Sequence, residues 1–144
     1  MKKLFIVVLF ISAGSVALSQ KINASAVPSV VKKAFNKSHP GISPEWEKEN
    51  GSFEASFKKG KHDMSCVIDN SGTILETETD IPVSELPQEA VIYLKAHYKG
   101  HTIREASKVI RKDGSINYEA KVKDTDVMFD KHGKYLNEIK EAND

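Results

Sequence analysis

The sequence has little cysteine and no strong charge of either sign. Its single cysteine, Cys66, rules out a disulfide within the chain. Without the two lysines of residues 1–19, the chain has 19 basic and 20 acidic side chains. A near-neutral protein lacks the positive field that binding to nucleic acid or to an anionic membrane surface requires. We therefore expect no nucleic-acid partner, and a fold that its core alone stabilises.

Sequence motifs of common enzyme classes are also missing, among them Gly-x-Ser-x-Gly, His-Glu-x-x-His and the glycine-rich phosphate loops. His97 and His101 stand four residues apart, but Gly100 between them is expected to end a helix. Cys66 alternates with apolar residues, which predicts a buried thiol. His39 is expected at a helix end, where a cation meets the negative end of the dipole. We expect no enzyme activity, metal or cofactor.

The N-terminal segment has the pattern of a secretory signal peptide. Two lysines follow the first residue, residues 4–11 are all apolar, and the small residues Ala17 and Ser19 suit a cleavage site. A membrane anchor is the alternative, but the apolar run is well short of the ~20 residues that span a bilayer. The sequence predicts a signal peptide over 1–19, no anchor after cleavage, and a periplasmic or secreted mature chain over 20–144.

The mature chain is predicted to be one domain made of two similar units, at about residues 26–80 and 85–140. The first unit opens with Val27-Pro28 and the second with Leu86-Pro87, and proline suits the first turn of a helix. Apolar residues then recur at helical spacing. The predicted inward residues are Val27, Val30, Val31, Ala34 and Phe35 in the first unit, and Ala90, Val91, Leu94 and Tyr98 in the second.

After each helix the hydrophobic period changes to two. Residues Phe53–Phe57 and Tyr118–Val122 alternate strictly, which predicts half-buried strands. Asp69–Gly72 and Asp130–Gly133 share the turn pattern Asp-x-x-Gly. The predicted fold class is α+β, a tandem repeat of one helix plus a four-stranded antiparallel sheet, with the helices on one sheet face. Asp80–Glu85 is the only predicted linker.

These features resemble the PepSY-like, beta-lactamase-inhibitor-like family of secreted bacterial proteins. The residues that carry the resemblance are the signal peptide, the openings Val27-Pro28 and Leu86-Pro87, the string His39-Pro40-Gly41, and the two Asp-x-x-Gly turns. The resemblance covers nearly all of the mature chain. It implies a fold like that of secreted beta-lactamase inhibitor proteins, and a non-enzymatic role in binding or inhibiting another exported protein.

The sheet face away from the helices is the predicted contact surface. If Phe53, Ala55 and Phe57 face the helices, the residues between them face outward. Trp46 is left open between a core position and an exposed binding anchor. The candidate partner-binding residues are Trp46, Glu54, Ser56, Lys58, Val67, Glu119, Lys121 and Met128.

The predicted function is therefore that of an exported, non-enzymatic binding domain. Its partner is an unidentified protein of the cell envelope, which the domain inhibits or modulates. A mixed face of charged and apolar side chains suits a protein partner better than a small molecule. Two alternatives stay open: a hydrolase whose site the motifs do not reveal, and a periplasmic sensor or structural module.

Overall fold

The computed structural model describes residues 19–140, so residues 1–18 of the predicted signal peptide lie outside the described part of the chain. Hydrogen-bonded strands follow the chain order in a nine-stranded antiparallel sheet. None of the helices in the described part is long and apolar enough to cross a membrane. The helices are α1 (Ser29–Ser38), α2 (Gln88–His97) and the 3-10 turns Ala24–Ala26 and Val83–Glu85. The strands are β1 (Gln20–Ile22), β2 (Glu45–Glu49), β3 (Ser52–Lys59), β4 (His62–Ile68), β5 (Ile74–Ile81), β6 (Ile103–Arg111), β7 (Ile116–Val122), β8 (Thr125–Asp130) and β9 (Tyr135–Lys140).

The chain divides into two compact units. Unit 1 takes in the described residues up to Lys59 together with Asp63–Glu76. Unit 2 takes in Gly60–His62 and the described residues from Thr77 onward. Each unit contains one α-helix and its own hydrophobic core.

In unit 1, α1 forms where the apolar stripe predicts it. Pro28 precedes the helix, and its carbonyl accepts the amide of Lys32 at 3.1 Å. The helix ends where the amide of His39 donates to the carbonyl of Phe35 at 2.8 Å. Gly41 follows with a φ of +77°, a conformation that glycine adopts without strain. The predicted helix is present and its end at His39 is confirmed, although Val27 and Pro28 precede its first residue.

The core of unit 1 lies between α1 and one face of strands β2 to β4. Phe35 meets Trp46 edge to face at 5.6 Å and Phe57 at 5.2 Å. Such edge-to-face pairs add about 0.5–1.5 kcal/mol each beyond their burial. The inward orientation predicted for alternate residues of β3, and the burial predicted for Cys66, are confirmed. The core residues are Val27, Val31, Phe35, Trp46, Phe53, Ala55, Phe57, Cys66 and Ile68.

A turn between β4 and β5 packs against the start of α1. The carboxylate of Asp69 accepts the amides of Ser71 at 2.8 Å and Thr73 at 2.9 Å. Gly72 has a φ of +85°, and a Cβ there would lie 2.9 Å from a methyl of Val30. Val30, which the helical stripe placed inward, is 43% exposed. The stripe was therefore wrong at this residue, because the turn covers only part of its side chain.

In unit 2, α2 packs on strands β6 to β8, and it also follows a proline and precedes a glycine. The carbonyl of Pro87 accepts the amide of Val91 at 3.2 Å, and the carbonyl of Leu94 accepts that of Tyr98 at 2.8 Å. Gly100 follows with a φ of +79°. The helix thus ends at His97, as the glycine predicts. The core residues are Leu86, Ala90, Leu94, Ala106, Ala120, Val122, Val127 and Phe129.

The turn between β8 and β9 packs against the start of α2. The carboxylate of Asp130 accepts the amides of His132 at 2.8 Å and Lys134 at 2.9 Å. Gly133 has a φ of +87°, and a Cβ there would lie 2.7 Å from the amide nitrogen of Ala90. Glycine is required at this position both by the backbone conformation and by the close approach of the helix.

Two features depart from the predicted fold. Four strands per unit predict eight strands, but β1 makes a ninth, and its Ile22 pairs with Trp46 of β2. Three residues are too few for an alternating pattern, so the sequence did not reveal β1. The predicted linker Asp80–Glu85 also begins inside β5, which runs to Ile81, and Val83–Glu85 forms a 3-10 turn.

Candidate functional site

The helix-free face of unit 2 presents two rows of side chains across its strands. Each row is fixed by the register of the antiparallel pairs, so its members are cross-strand neighbours. Glu119 and Met128 adjoin in one row, and Lys121 and Asp126 adjoin in the other. The first row is Ser107, Glu119, Met128 and Asn137, and the second is Glu105, Lys121, Asp126 and Ile139.

Three of the residues predicted to be accessible on the helix-free face are buried. Glu54 and Val67 of unit 1 are each 3% exposed, and Met128 of unit 2 is 2% exposed. The expectation that these side chains face solvent was wrong. On a strand that is paired on both sides, each side chain lies between cross-strand neighbours. The aliphatic stems of these neighbours cover side chains that are shorter or apolar. In unit 2, Glu119 and Asn137 flank Met128 in this way.

Trp46 is also buried, at 4% exposure. It lies on the helix side of β2 against Phe35, not on the helix-free face. Of the two interpretations left open by the sequence, the core position is therefore the one observed. Its role as an exposed binding anchor is excluded by this burial.

The other four predicted residues keep some access to solvent. Ser56 and Glu119 are half-buried. Lys58 is exposed, and its ammonium lies 2.7 Å from the carboxylate of Asp63. The side chain of Lys121 is only 15% exposed, and its ammonium lies 3.5 Å from a carboxylate oxygen of the buried Asp126. Lys121 is thus half of a shielded ion pair.

The side chains that most often act as nucleophiles or metal ligands are poorly placed for these roles. Burial, and to a lesser extent the charge of Glu54, raises the pKa of the Cys66 thiol to about 12. A thiol with that pKa is not ionised at neutral pH, and only the thiolate is a good nucleophile. Within residues 19–140, no group of three or more histidine, cysteine, aspartate or glutamate side chains could hold a metal ion.

His39 lies at the end of α1, as predicted, but in an environment that disfavours its charge. Its ring packs against Phe57 at 4.5 Å and Phe35 at 5.2 Å, and its buried Nδ1 has no hydrogen-bond partner. Burial, and then the charge of Lys59, lowers the pKa of His39. The expected cation at the helix terminus is therefore wrong, because the neutral ring prevails at neutral pH.

Sequence reasoning missed a cluster of rings where α2 meets β9 in unit 2. Tyr93 stacks on His97 at 3.9 Å and on Tyr135 at 4.8 Å, each with an interplanar angle of 16°. The hydroxyl of Tyr98 donates to the carboxylate of Glu138 at 2.6 Å. We call these five residues the aromatic shelf. The available signal was the spacing of Tyr93 and His97, four residues apart on one helix, which places them on the same face.

The two tyrosines nearest Glu138 hold their protons strongly. Burial raises the pKa of Tyr98, and the hydrogen bond to Glu138 and the charge of Glu138 raise it further. Burial also raises the pKa of Tyr93, with smaller contributions from Tyr135 and Glu138. Both phenols are therefore neutral at ordinary pH. The carboxylate of Glu138 is the one acidic side chain of the shelf.

The chain matches a known protein family over most of its length. The family model described as "Putative beta-lactamase-inhibitor-like, PepSY-like" matches the chain over residues 16–76 and over residues 51–137. The chain belongs to this family. The resemblance seen in the sequence is thus confirmed. No curated protein matches this PepSY-like chain.

Solved structures share the fold of the PepSY-like chain. One, described as "putative periplasmic proteins" of Bacteroides eggerthii, has a TM-score of 0.71 at 15% identity over 79% of this chain and 88% of its own. A DUF2874 family protein of Bacteroides uniformis has a TM-score of 0.70 at 17% identity over 78% and 88%. A BLIP-like protein of Bacteroides fragilis has a TM-score of 0.65 at 18% identity over 81% and 88%. At these identities the likeness establishes a shared fold and assigns no residue a role.

Proposed function

We propose that this PepSY-like protein is a non-enzymatic periplasmic binding protein that inhibits or modulates another exported protein. The family description, which is inhibitor-like, supports a binding role. The signal-peptide pattern of residues 1–19 and the periplasmic description of a structural neighbour support the compartment.

The observation that carries the proposal is the mixed row on the helix-free face of unit 2. Half-buried Glu119 stands between the hydroxyl of Ser107 and the thioether of Met128, on strands paired on both sides. An accessible charged group on a rigid scaffold suits protein recognition, since little side-chain or backbone order must be gained on binding. Ser56 and Lys58 of unit 1 and Lys121 of unit 2 also remain candidate partner-contact residues.

The alternative of a hydrolase is weakened by the state of the cysteine. A nucleophilic mechanism needs an activated group with a base beside it, whereas Cys66 is buried and its pKa is about 12. A panel of ester, peptide and glycoside substrates offered to the purified protein tests this alternative. Turnover of any of them would contradict the proposal, and a silent panel supports it.

The proposal includes an internal repeat of one helix and its following strands. In both units the amide of the glycine in the Asp-x-x-Gly turn donates to the aspartate carbonyl at 3.0 Å. That glycine then packs against the first turn of the unit's helix, Gly72 against Val30 and Gly133 against Glu89, which are the second residues of their helices. Two unrelated segments of the chain would not be expected to place the same turn against the same helical position.

Photo-crosslinking tests the contact surface. A benzophenone amino acid at Asn137, in the same row as Glu119, should give a crosslinked adduct in the cell envelope when the partner is bound. The same amino acid at Lys112, an exposed turn residue of unit 2, is the matched control. Adding Glu119→Gln, which keeps the size of the side chain, should weaken crosslinking from Asn137. Equal adducts at both positions would contradict the assignment of the helix-free face.

A further inference from the structure

The ring positions of the aromatic shelf are not shared by the two units. Tyr93 and His97 are the sixth and last residues of the ten-residue α2, and Tyr135 is the first residue of β9. The sixth and last residues of the ten-residue α1 are Ala34 and Ser38, and β5 begins with Ile74. Unit 1 forms its core around Phe35, Trp46 and Phe57 instead, whereas Tyr93, Tyr98 and Tyr135 pack against the core of unit 2 with only part of each ring. Core packing does not explain why the rest of these rings stays accessible.

The shelf is accessible although it is anchored to the core. His97 and Glu138 are exposed, and the three tyrosines are half-buried. Tyr93 meets the buried Phe129 edge to face at 5.7 Å, which fixes the ring stack on the sheet. β9 is the last strand of the sheet, so the stack stands at an edge. A ligand can reach such a site without a change in the fold.

Three sources of negative potential meet at the shelf. Aromatic rings present a negative face to a cation. The C-terminus of α2, at His97, carries the negative end of the helix dipole. The carboxylate of Glu138 accepts the Tyr98 hydroxyl, and no lysine or arginine of the described residues forms an ion pair with it. The complementary ligand is a cation with a flat surface.

A guanidinium group matches these features better than an ammonium group. It is planar, so it stacks on rings, and its fork of N–H donors fits a carboxylate. Tyr98 holds Glu138 through one oxygen, Oε2, which fixes the direction in which the carboxylate points. Because the rings are stacked in advance, little side-chain order is gained on binding.

We propose that the aromatic shelf binds an arginine side chain of a partner protein, with the guanidinium stacked on the exposed rings and hydrogen-bonded to Glu138. The site lies on the helix side of unit 2 and does not depend on the proposed role of Glu119. It gives the protein a means of recognising a basic segment of its partner.

Titration of the full mature protein with N-acetyl-arginine amide, followed by NMR, tests the proposal. The expected result is saturable shifts of the ring resonances of Tyr93, His97 and Tyr135. N-acetyl-citrulline amide has the same shape without the charge, and it should bind roughly tenfold more weakly. Glu138→Gln should weaken arginine binding by a similar factor. Glu85→Gln, at an exposed glutamate of the 3-10 turn before α2 and outside the shelf, is the matched control and should leave binding unchanged.

Three outcomes would overturn the proposal. The first is the absence of saturable ring shifts with the arginine amide in the folded wild-type protein. The second is equal binding of the citrulline amide. The third is a response of the rings to maltotriose that Glu138→Gln leaves unchanged, which would assign the stack to a neutral sugar. Since the probe is a small molecule and the protein is pure, each result is independent of whether the helix-free face binds its own partner.

Discussion

At the scale of the residue, Gly133 and Gly114 share a backbone conformation but differ in surroundings. Their φ angles are +87° and +82°. A Cβ at Gly133 would lie 2.7 Å from the amide nitrogen of Ala90, whereas a Cβ at Gly114 would meet nothing within 4 Å. Gly114→Ala should lower the free energy of unfolding by about 1–2 kcal/mol through its conformation alone. Gly133→Ala should lower it by about 2–5 kcal/mol, because α2 must also move away.

Urea denaturation of the two glycine variants measures this difference. Equal losses in the free energy of unfolding would mean that the turn can move without an energetic cost and that α2 does not pack closely against Gly133. The corresponding change Gly72→Ala in unit 1 should resemble Gly133→Ala, because its Cβ would also lie closer than 3.0 Å to the helix.

His39 predicts how stability changes with pH. Its pKa is lowered in the folded protein, chiefly by burial against Phe35 and Phe57. The unfolded chain therefore binds the proton of His39 more tightly than the folded protein does. The contribution of His39 to the free energy of unfolding is complete above the unfolded pKa near 6.5 and decreases as the pH falls below it. His39→Phe should reduce this dependence between about pH 7 and 5.

The measurement for His39 is the midpoint of urea unfolding at several pH values. His132→Gln is the matched control, since this histidine is an exposed turn residue outside the ring cluster of α1. If His39→Phe keeps the same pH dependence as the wild type, another group is responsible for it.

At the scale of the element, the ion pair between β7 and β8 makes Lys121 a structural residue. Lys121→Glu would place a second carboxylate beside the buried Asp126. We expect a loss of about 3–5 kcal/mol, which is typical when a buried pair loses one partner. Lys112→Glu, at an exposed turn position, should change stability by about 0.5 kcal/mol or less. Thermal unfolding of both variants checks the difference, and a wild-type melting curve for Lys121→Glu would contradict it.

Elements with a regular hydrophobic period could be predicted from the sequence, and their environment could not. The stripe that includes Val31 and Phe35 gave the inner face of α1, and the alternation of β3 gave the inward orientation of Phe53 and Phe57. Period two also tells which side chains share the opposite face. It does not tell what lies over that face, which is why the burial of Met128 was missed.

The candidate site was predictable only in part, for a related reason. Trp46 has polar neighbours, and a single large ring on a strand is compatible with either face until its partners are known. The aromatic shelf unites α2 with β9, and the contact of Tyr93 with Tyr135 joins residues 42 positions apart in the chain. Contacts of this kind depend on packing between elements, which local periodicity does not encode.

At the scale of the whole molecule, the predicted cleavage site lies directly before the first strand, which begins at Gln20. Cleavage after Ser19 would leave β1 intact, since that strand begins at Gln20 and pairs with β2. Mass spectrometry of the protein from the periplasmic fraction should give a chain that begins at or near Gln20. A mature chain that begins several residues after Ile22 would lack β1 and would contradict this prediction. Recovery of the chain with Met1 still attached would contradict export.

The order of the strands has a consequence for how the chain folds. Every strand pairs with its neighbours in the sequence, from β1 to β9. Six of the eight connections between paired strands are short turns, and only α1 and α2 stand between paired strands, β1 and β2 in one case and β5 and β6 in the other. The loss of chain entropy before most new contacts is therefore small. Hairpins form in about 1–10 μs, and proteins with mostly local contacts fold faster than sandwiches whose strands come from distant parts of the chain. A chain of this topology exposes the edges of its inner strands only briefly during folding, which limits the time in which these edges can take part in aggregation.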